Sequence, residues 1–103
     1  MNVGPTARHA LIEADADIWS GATDYCQGAL QLAWDATERN ETNTTATAVP
    51  PSSGVTKGKA SMTTSALPLL PAGPQIVQLL GETNGPSCVG FQDTRLNVIL
   101  LNN

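Results

Sequence analysis

The chain has 103 residues, room for one domain, and a formal net charge of −4. Its five Lys and Arg residues are scattered, with no basic run beyond Lys57 and Lys59. The clustered cations that neutralise nucleic-acid phosphates are therefore missing, and no nucleic-acid partner is expected. No window approaches the ~20 apolar residues of a membrane-spanning helix, so no membrane partner is expected. The start lacks a basic region followed by an apolar run, and no signal peptide is expected there.

Leu, Ile, Val and Phe together supply 22 of the 103 residues, near the lower limit for a globular chain. Ala swells the 41% hydrophobic fraction and buries little area, and only Trp19, Tyr25, Trp34 and Phe91 are aromatic. An independent core would be thin, because each large buried side chain contributes only ~1.5–3 kcal/mol.

The first 39 residues read as a short arm and a long helix. Pro5-Thr6 suits a helix entry. Leu11, Ile18, Tyr25 and Leu32 recur every seven residues, with Ile12, Trp19, Cys26 and Ala33 in a parallel row. Glu13, Asp17, Asp24, Gln27, Gln31, Asp35 and Glu38 fall on the other side, where they suit water. Ser20-Gly21 interrupts the pattern and marks a possible kink, since Gly costs ~1 kcal/mol there relative to Ala. The small-residue seam beside Leu, Ile and Tyr wants a partner.

Residues 40–65 change character: Thr, Ser, Ala and Asn dominate, and Pro50-Pro51 forces extended backbone. Large apolar residues are nearly missing, so the segment cannot offset its ordering entropy by its own burial. It reads as an extended linker, or an arm laid along a neighbour. Residues 66–103 read as a C-terminal β region. Pro68, Pro71 and Pro74 exclude a helix at its start. Residues 75–80 read as a strand, Asn84-Gly85 as a turn, 88–91 as a short strand, Gln92-Asp93-Thr94 as a turn, and 95–101 as the clearest strand. The expected fold class is α+β: one long N-terminal helix, an extended middle, and a small C-terminal antiparallel sheet of two to three strands.

Candidate chemistry is sparse. The segment from Gly54 to Ser61 approaches a phosphate loop, but its spacing is one residue short and Ala60 stands where the hydroxyl belongs. Glu13 and Asp17 share a helical face without the Gly-containing loop and distal Glu of a calcium site. His9 is the only histidine, and on one straight helix it lies roughly 25 Å from Cys26 by the ~1.5 Å rise, too far to activate it. Cys26 and Cys88 make no disulfide framework and read as reduced small hydrophobes, although spacing does not decide whether they pair. Asn40-Glu41-Thr42 and Asn43-Thr44-Thr45 match the N-glycosylation pattern, as a Thr-rich stretch does by chance.

These readings give no catalytic residue, no metal ligand and no cofactor. They lead to a non-enzymatic structural subunit of a symmetric assembly, in its most specific form a small virion protein, either capsid-cementing or a head–tail accessory component. The partners are then other protein subunits, copies of the chain itself or a larger shell or tail protein. The interface is expected at Leu11, Ile18, Trp19, Tyr25 and Leu32 on the helix, and at Leu96, Val98 and Leu100 on the last strand. The alternative is a small cytoplasmic or secreted adaptor, with two interaction ends on a flexible linker.

Overall fold

The structure, a computed structural model, describes residues 1–51 and 57–102. Among the described residues there is no helix. The chain forms seven strands: β1 (Arg8–Ser20), β2 (Cys26–Trp34), β3 (Thr37–Ala48), β4 (Lys59–Ala66), β5 (Leu69–Leu70), β6 (Val77–Asn84) and β7 (Cys88–Leu100). All pairings are antiparallel. In the first sheet β1 is central, with β4 and β5 along one side and β7 along the other. In the second, β2 lies between β3 and β6. The sheets pack face to face into a sandwich of 56 × 20 × 18 Å.

Alternation builds this arrangement. In β1 the buried positions are Ala10, Ile12, Ala14, Ala16, Ile18 and Ser20, while Leu11, Glu13, Asp15, Asp17 and Trp19 point outward. In β2, Cys26, Gly28, Leu30, Leu32 and Trp34 point inward. Two apolar clusters result, each drawing on both sheets. One joins Val3, Ala10, Ile12, Leu32, Trp34 and Leu70; the other joins Ala16, Ile18, Cys26, Leu30, Ala48 and Met62.

The α+β expectation is thus corrected to an all-β sandwich. The span read as one helix, residues 7–39, holds β1, a turn, β2, a second turn and the start of β3. A spacing of seven is odd, so on strands it scatters residues between faces. Of the heptad row, Ile18 and Leu32 are interior, Leu11 faces outward, and Tyr25 lies exposed in the β1–β2 turn. Ser20-Gly21 is the end of β1 and not a helix kink. The C-terminal region is made of strands, but they form no sheet of their own: β6 pairs with β2, and β7 pairs with β1. The turn expected at Gln92-Asp93-Thr94 is a bulge within one long strand, with Asp93 at φ 51°.

The middle segment is also corrected. Residues 37–48 and 59–66 are strands, while residues 52–56 of the extended linker expected over 40–65 lie outside the described residues. Thr is β-branched and suits a pleated strand, and the space it faces is shallow enough to be filled without large side chains. Thr42, Thr64 and Ala48 are buried there, and Ala46 is partly buried beside them. β3 carries extra residues opposite Leu30–Leu32, and the Thr42 hydroxyl repairs the ladder: it accepts the Leu32 N–H at 2.9 Å and donates to the Arg39 carbonyl at 2.7 Å. The Thr64 hydroxyl then donates to the Thr42 carbonyl, joining the two sheets through a buried hydrogen bond.

Gly28 shows how thin the interior is. A Cβ at this position would lie 2.4 Å from Cδ1 of Ile18 and 3.0 Å from Cε of Met62. Any side chain here would push the facing sheet away.

The cysteines, read from the sequence as reduced, form a disulfide across the sheets, Cys26 on β2 to Cys88 on β7, with Cα atoms 4.8 Å apart. The sequence separation is 62 residues, and a loop of that size corresponds to a stabilisation of about 4 kcal/mol in the chain-entropy account. Reduction, or the double change Cys26→Ala with Cys88→Ala, should lower unfolding free energy by about that amount in urea titration. A change below about 1 kcal/mol would show that the bridge is incidental to the fold.

The β2–β3 hairpin turns through Asp35 and Ala36, both at positive φ (52° and 54°), the two-residue geometry that favours Asn-Gly. Ala36 carries a Cβ in a backbone region that costs L-residues about 1–2 kcal/mol. Ala36→Gly should therefore raise stability by about 1 kcal/mol, read as a higher urea midpoint at unchanged slope.

Candidate functional site

The sandwich leaves two broad outer faces, and they differ in chemistry. The outer face of the first sheet follows β1. At its centre are Glu13, Asp15 and Asp17, set two residues apart and so on one side. The register places Asp15 between Thr63 and Arg95, and Asp17 between Ser61 and Gln92. Asp15 Oδ1 lies 3.6 Å from Arg95 Nε, and Asp17 Oδ2 lies 3.3 Å from Lys59 Nζ. The Ser61 hydroxyl donates to Asp17 Oδ1 at 2.7 Å. Lys59 also stands 5.6 Å from the centre of the Trp19 ring, which is half-buried at the end of the row.

Toward its other end the same face turns apolar. Leu11 pairs with Ile99, and Leu67 continues the β4 register beside Leu11. Leu69 pairs with His9, whose carbonyl accepts the Leu101 N–H at 2.9 Å. Leu67, Leu69 and Ile99 are each more than half exposed, at 59%, 56% and 51%. Three strands thus present one contiguous patch of Leu and Ile to solvent.

The outer face of the second sheet follows β2 through Gln27, Ala29, Gln31 and Ala33. Gln27 lies between Thr47 and Asn84, and Ala29 between Thr45 and Glu82. The small side chain of Ala29 leaves a trough, formed by two adjoining depressions of about 270 and 250 Å³ that share Ala29 and Glu82. Arg39 does not reach this face. It folds over the Trp34 ring, 4.7 Å from its centre, and donates to the Trp34 carbonyl.

The residues singled out from sequence are dispersed. Ile18 and Leu32 are fully enclosed in the chain's own interior. Leu96, Val98 and Leu100 sit opposite the inward-facing Ala14, Ile12 and Ala10; Val98 and Leu100 pack on the core, and Leu96 lies at the rim. Leu11 and Trp19 share the outer face of the first sheet, and Tyr25 stands apart in its turn. The structure thus brings Leu11 together with Leu67, Leu69, Ile99 and Leu101, which the helical reading did not group. Strand alternation in residues 8–20 is the signal that sets Leu11 outward; Leu67 and Leu69, beside Pro68 and Pro71, carry no such signal.

The motifs resolve simply. His9 stands near the apolar end, while both cysteine sulfurs are bonded to each other at the opposite end, so no thiol is available to it. Gly54, Val55 and Thr56 of the phosphate-loop-like stretch lie outside the described residues, and its Lys59 engages Asp17. Glu13, Asp15 and Asp17 do share a face, but Asp15 and Asp17 each meet a cation. No group of three His, Cys, Asp or Glu residues is placed to hold a metal ion among the described residues. Asn40 and Asn43 are exposed on β3. No protein family, curated protein or solved structure matches the chain.

The Ser61 hydroxyl, and after it the Lys59 ammonium, hold the Asp17 carboxyl below its ordinary value, against a partial burial that raises it. A depressed carboxyl contributes stability above its unfolded value, about 3.9, and loses it as pH falls through the folded value. Unfolding midpoints should thus drop below about pH 4, and Asp17→Asn should remove part of that drop. Parallel pH profiles for the two proteins would show that Asp17 is not a contributor.

Proposed function

We propose that the chain is a non-enzymatic structural subunit of a symmetric assembly, self-associating through the outer face of its first sheet. The observation that carries this reading is the patch of Leu11, Leu67, Leu69, Ile99 and Leu101 beside a charge row in which two of three carboxylates, Asp15 and Asp17, are already paired within the chain. A contact between copies across a twofold axis sets a surface against itself, so unpaired like charges would repel. On this face Asp15 and Asp17 are matched by Arg95 and Lys59. The face can therefore meet its own copy, and its apolar end gains from leaving water. The second sheet's outer face, with Glu38 and Glu82 and no cation beside them, suits self-contact poorly.

The specific assembly we favour is a virion, with the chain as a capsid-cementing or head–tail accessory component. The cross-sheet disulfide supports a particle exposed to an oxidising medium more than a cytoplasmic setting. The elongated, thin sandwich suits a part repeated across a lattice. The adaptor alternative needs a flexible middle, whereas residues 37–48 and 59–66 are strands of the sandwich, so the geometry favours the first reading.

Sedimentation equilibrium tests the self-contact. The wild-type chain should associate with rising concentration, and Leu11→Asp or Ile99→Asp should weaken association at least tenfold, because each buries an unpaired charge worth more than about 1.4 kcal/mol. Thr45→Asp, on the opposite face, should leave it unchanged. A wild-type monomer that persists to roughly 1 mM would overturn the proposal.

A further inference from the structure

We propose that the free edge of β7 over residues 94–100 pairs antiparallel with the same edge of a second copy of this chain, about a twofold axis at Val98. β7 closes one side of the first sheet, and among the described residues no strand pairs with it on the side away from β1. The register decides which backbone groups are left over. Leu101 donates its N–H to the His9 carbonyl at 2.9 Å, and the pairing runs on to Arg95 without a shift. In an antiparallel ladder hydrogen-bonded pairs alternate with non-bonded ones, so Ile99, Asn97 and Arg95 also bond β1. The N–H and C=O groups of Leu96, Val98 and Leu100 then point away from β1, to the open side. Their side chains face inward, opposite Ala14, Ile12 and Ala10.

The other edges are guarded and this one is not. β3 carries a bulge with Glu38, Arg39 and Glu41, and the Thr64–Thr42 bond ties it to β4. β5 is two residues long, between Pro68 and Pro71. β6 holds Gly81 and Glu82. The first part of β7 is broken by Gly90 and Asp93 at positive φ (122° and 51°), and there the Phe91 ring covers Gly81 of β6. Charges, prolines, bulges and short strands keep an edge from pairing with another chain. Residues 94–100 have none of these but the single charge of Arg95, which meets Asp15 at 3.6 Å. The segment is also its own match. About Val98, Leu96 stands opposite the copy's Leu100 and Val98 opposite its counterpart, so every inward pair is apolar. Each of these pairs exchanges two backbone hydrogen bonds. Centring the axis on Asn97 would instead set Leu100 against Thr94. Arg95 lies about 20 Å along the strand from the copy's Arg95, beyond the screening length of about 8 Å. Leu96 is 36% exposed and Val98 and Leu100 are half-buried, so pairing removes apolar area from water. This edge contact does not rest on the face contact proposed above. One twofold contact closes a dimer, and a second, different one continues the assembly.

The test is amide hydrogen exchange of the isotope-labelled full chain at two concentrations, in the wild type and in Leu11→Asp, where the face contact is removed. For a pairing with Kd on the order of 0.1 mM, the Leu96, Val98 and Leu100 amides should exchange at least about threefold more slowly at roughly 1 mM than at roughly 10 μM. The Asn97 and Ile99 amides, already bonded to β1, should not change. Leu96→Lys puts a charge on the free edge from a position at the rim, and should remove most of the slowing while the urea midpoint stays near that of the wild type. The proposal is overturned if the three amides exchange at the same rate at both concentrations, as they would if an unrelated peptide were the partner of this edge. It is also overturned if Asn97 and Ile99 slow equally, or if Leu96→Lys keeps the slowing. Should the face contact alone be absent, Leu11→Asp matches the wild type and the slowing persists in both, so the two proposals fail separately.

Discussion

The constraint on which this fold depends is the narrowness of the space between its sheets. Ala10, Ala14, Ala16, Gly28 and Ala48 face that space where larger residues would usually stand. A shallow interior gives little apolar area per residue, and the area-based stabilisation falls accordingly. The molecule answers with length. β1 and β7 each run 13 residues, so a thin core is extended along the sandwich and not deepened.

A thin core also shifts weight onto specific links between the sheets. The disulfide fastens one end. Near it, within the first sheet, Ser20 ties the start of β4 to the end of β1 by bonding Gly58 twice, its N–H to the Gly58 carbonyl at 3.0 Å and its hydroxyl from the Gly58 N–H at 2.9 Å. Midway, Thr64 bonds the Thr42 carbonyl from the facing sheet. At the far end Met1 and Val3 bond the segment around Gly73–Gln75. The Ser20 and Thr64 bonds are buried and so costly to break, because each lost partner leaves an unsatisfied polar group. Polar residues that read as linker in the sequence are thereby part of what holds the layers together.

That is also why the sequence was misleading in its first two thirds. Alanine has the highest helix propensity, and a heptad row of Leu11, Ile18, Tyr25 and Leu32 can be drawn through residues 7–39. The competing signal was stricter: Ile12, Ala14, Ala16 and Ile18 alternate without a break with Glu13, Asp15 and Asp17. Alanine carries much of the interior side of that alternation, and its small size and helix propensity mask the strand. In the last third, Val98, Ile99 and Leu100 carry β-branched and apolar character that declares a strand by itself. Its partner could not be read off, since pairing β7 with β1 joins residues 68 to 90 positions apart. Of the residues first grouped as an interface, Leu11 alone belongs to the exposed apolar patch, because the others had been grouped by helical periodicity or by position along one strand.

The two outer faces then divide the work between them. On β1 each of two carboxylates has a cation on a neighbouring strand, and that side ends in exposed Leu and Ile. On β2 the partners of Gln27 and Ala29 are Thr, Asn and Glu, with no cation among them. The same alternation that fills the interior sorts these sets, because moving β1 by one residue would carry Glu13, Asp15 and Asp17 into the core. Register is therefore fixed by the cost of burying three carboxylates as much as by the gain from burying Ile12 and Ile18. A largely charge-paired, partly apolar face opposed to an acidic, hydrogen-bonding one gives the sandwich a direction.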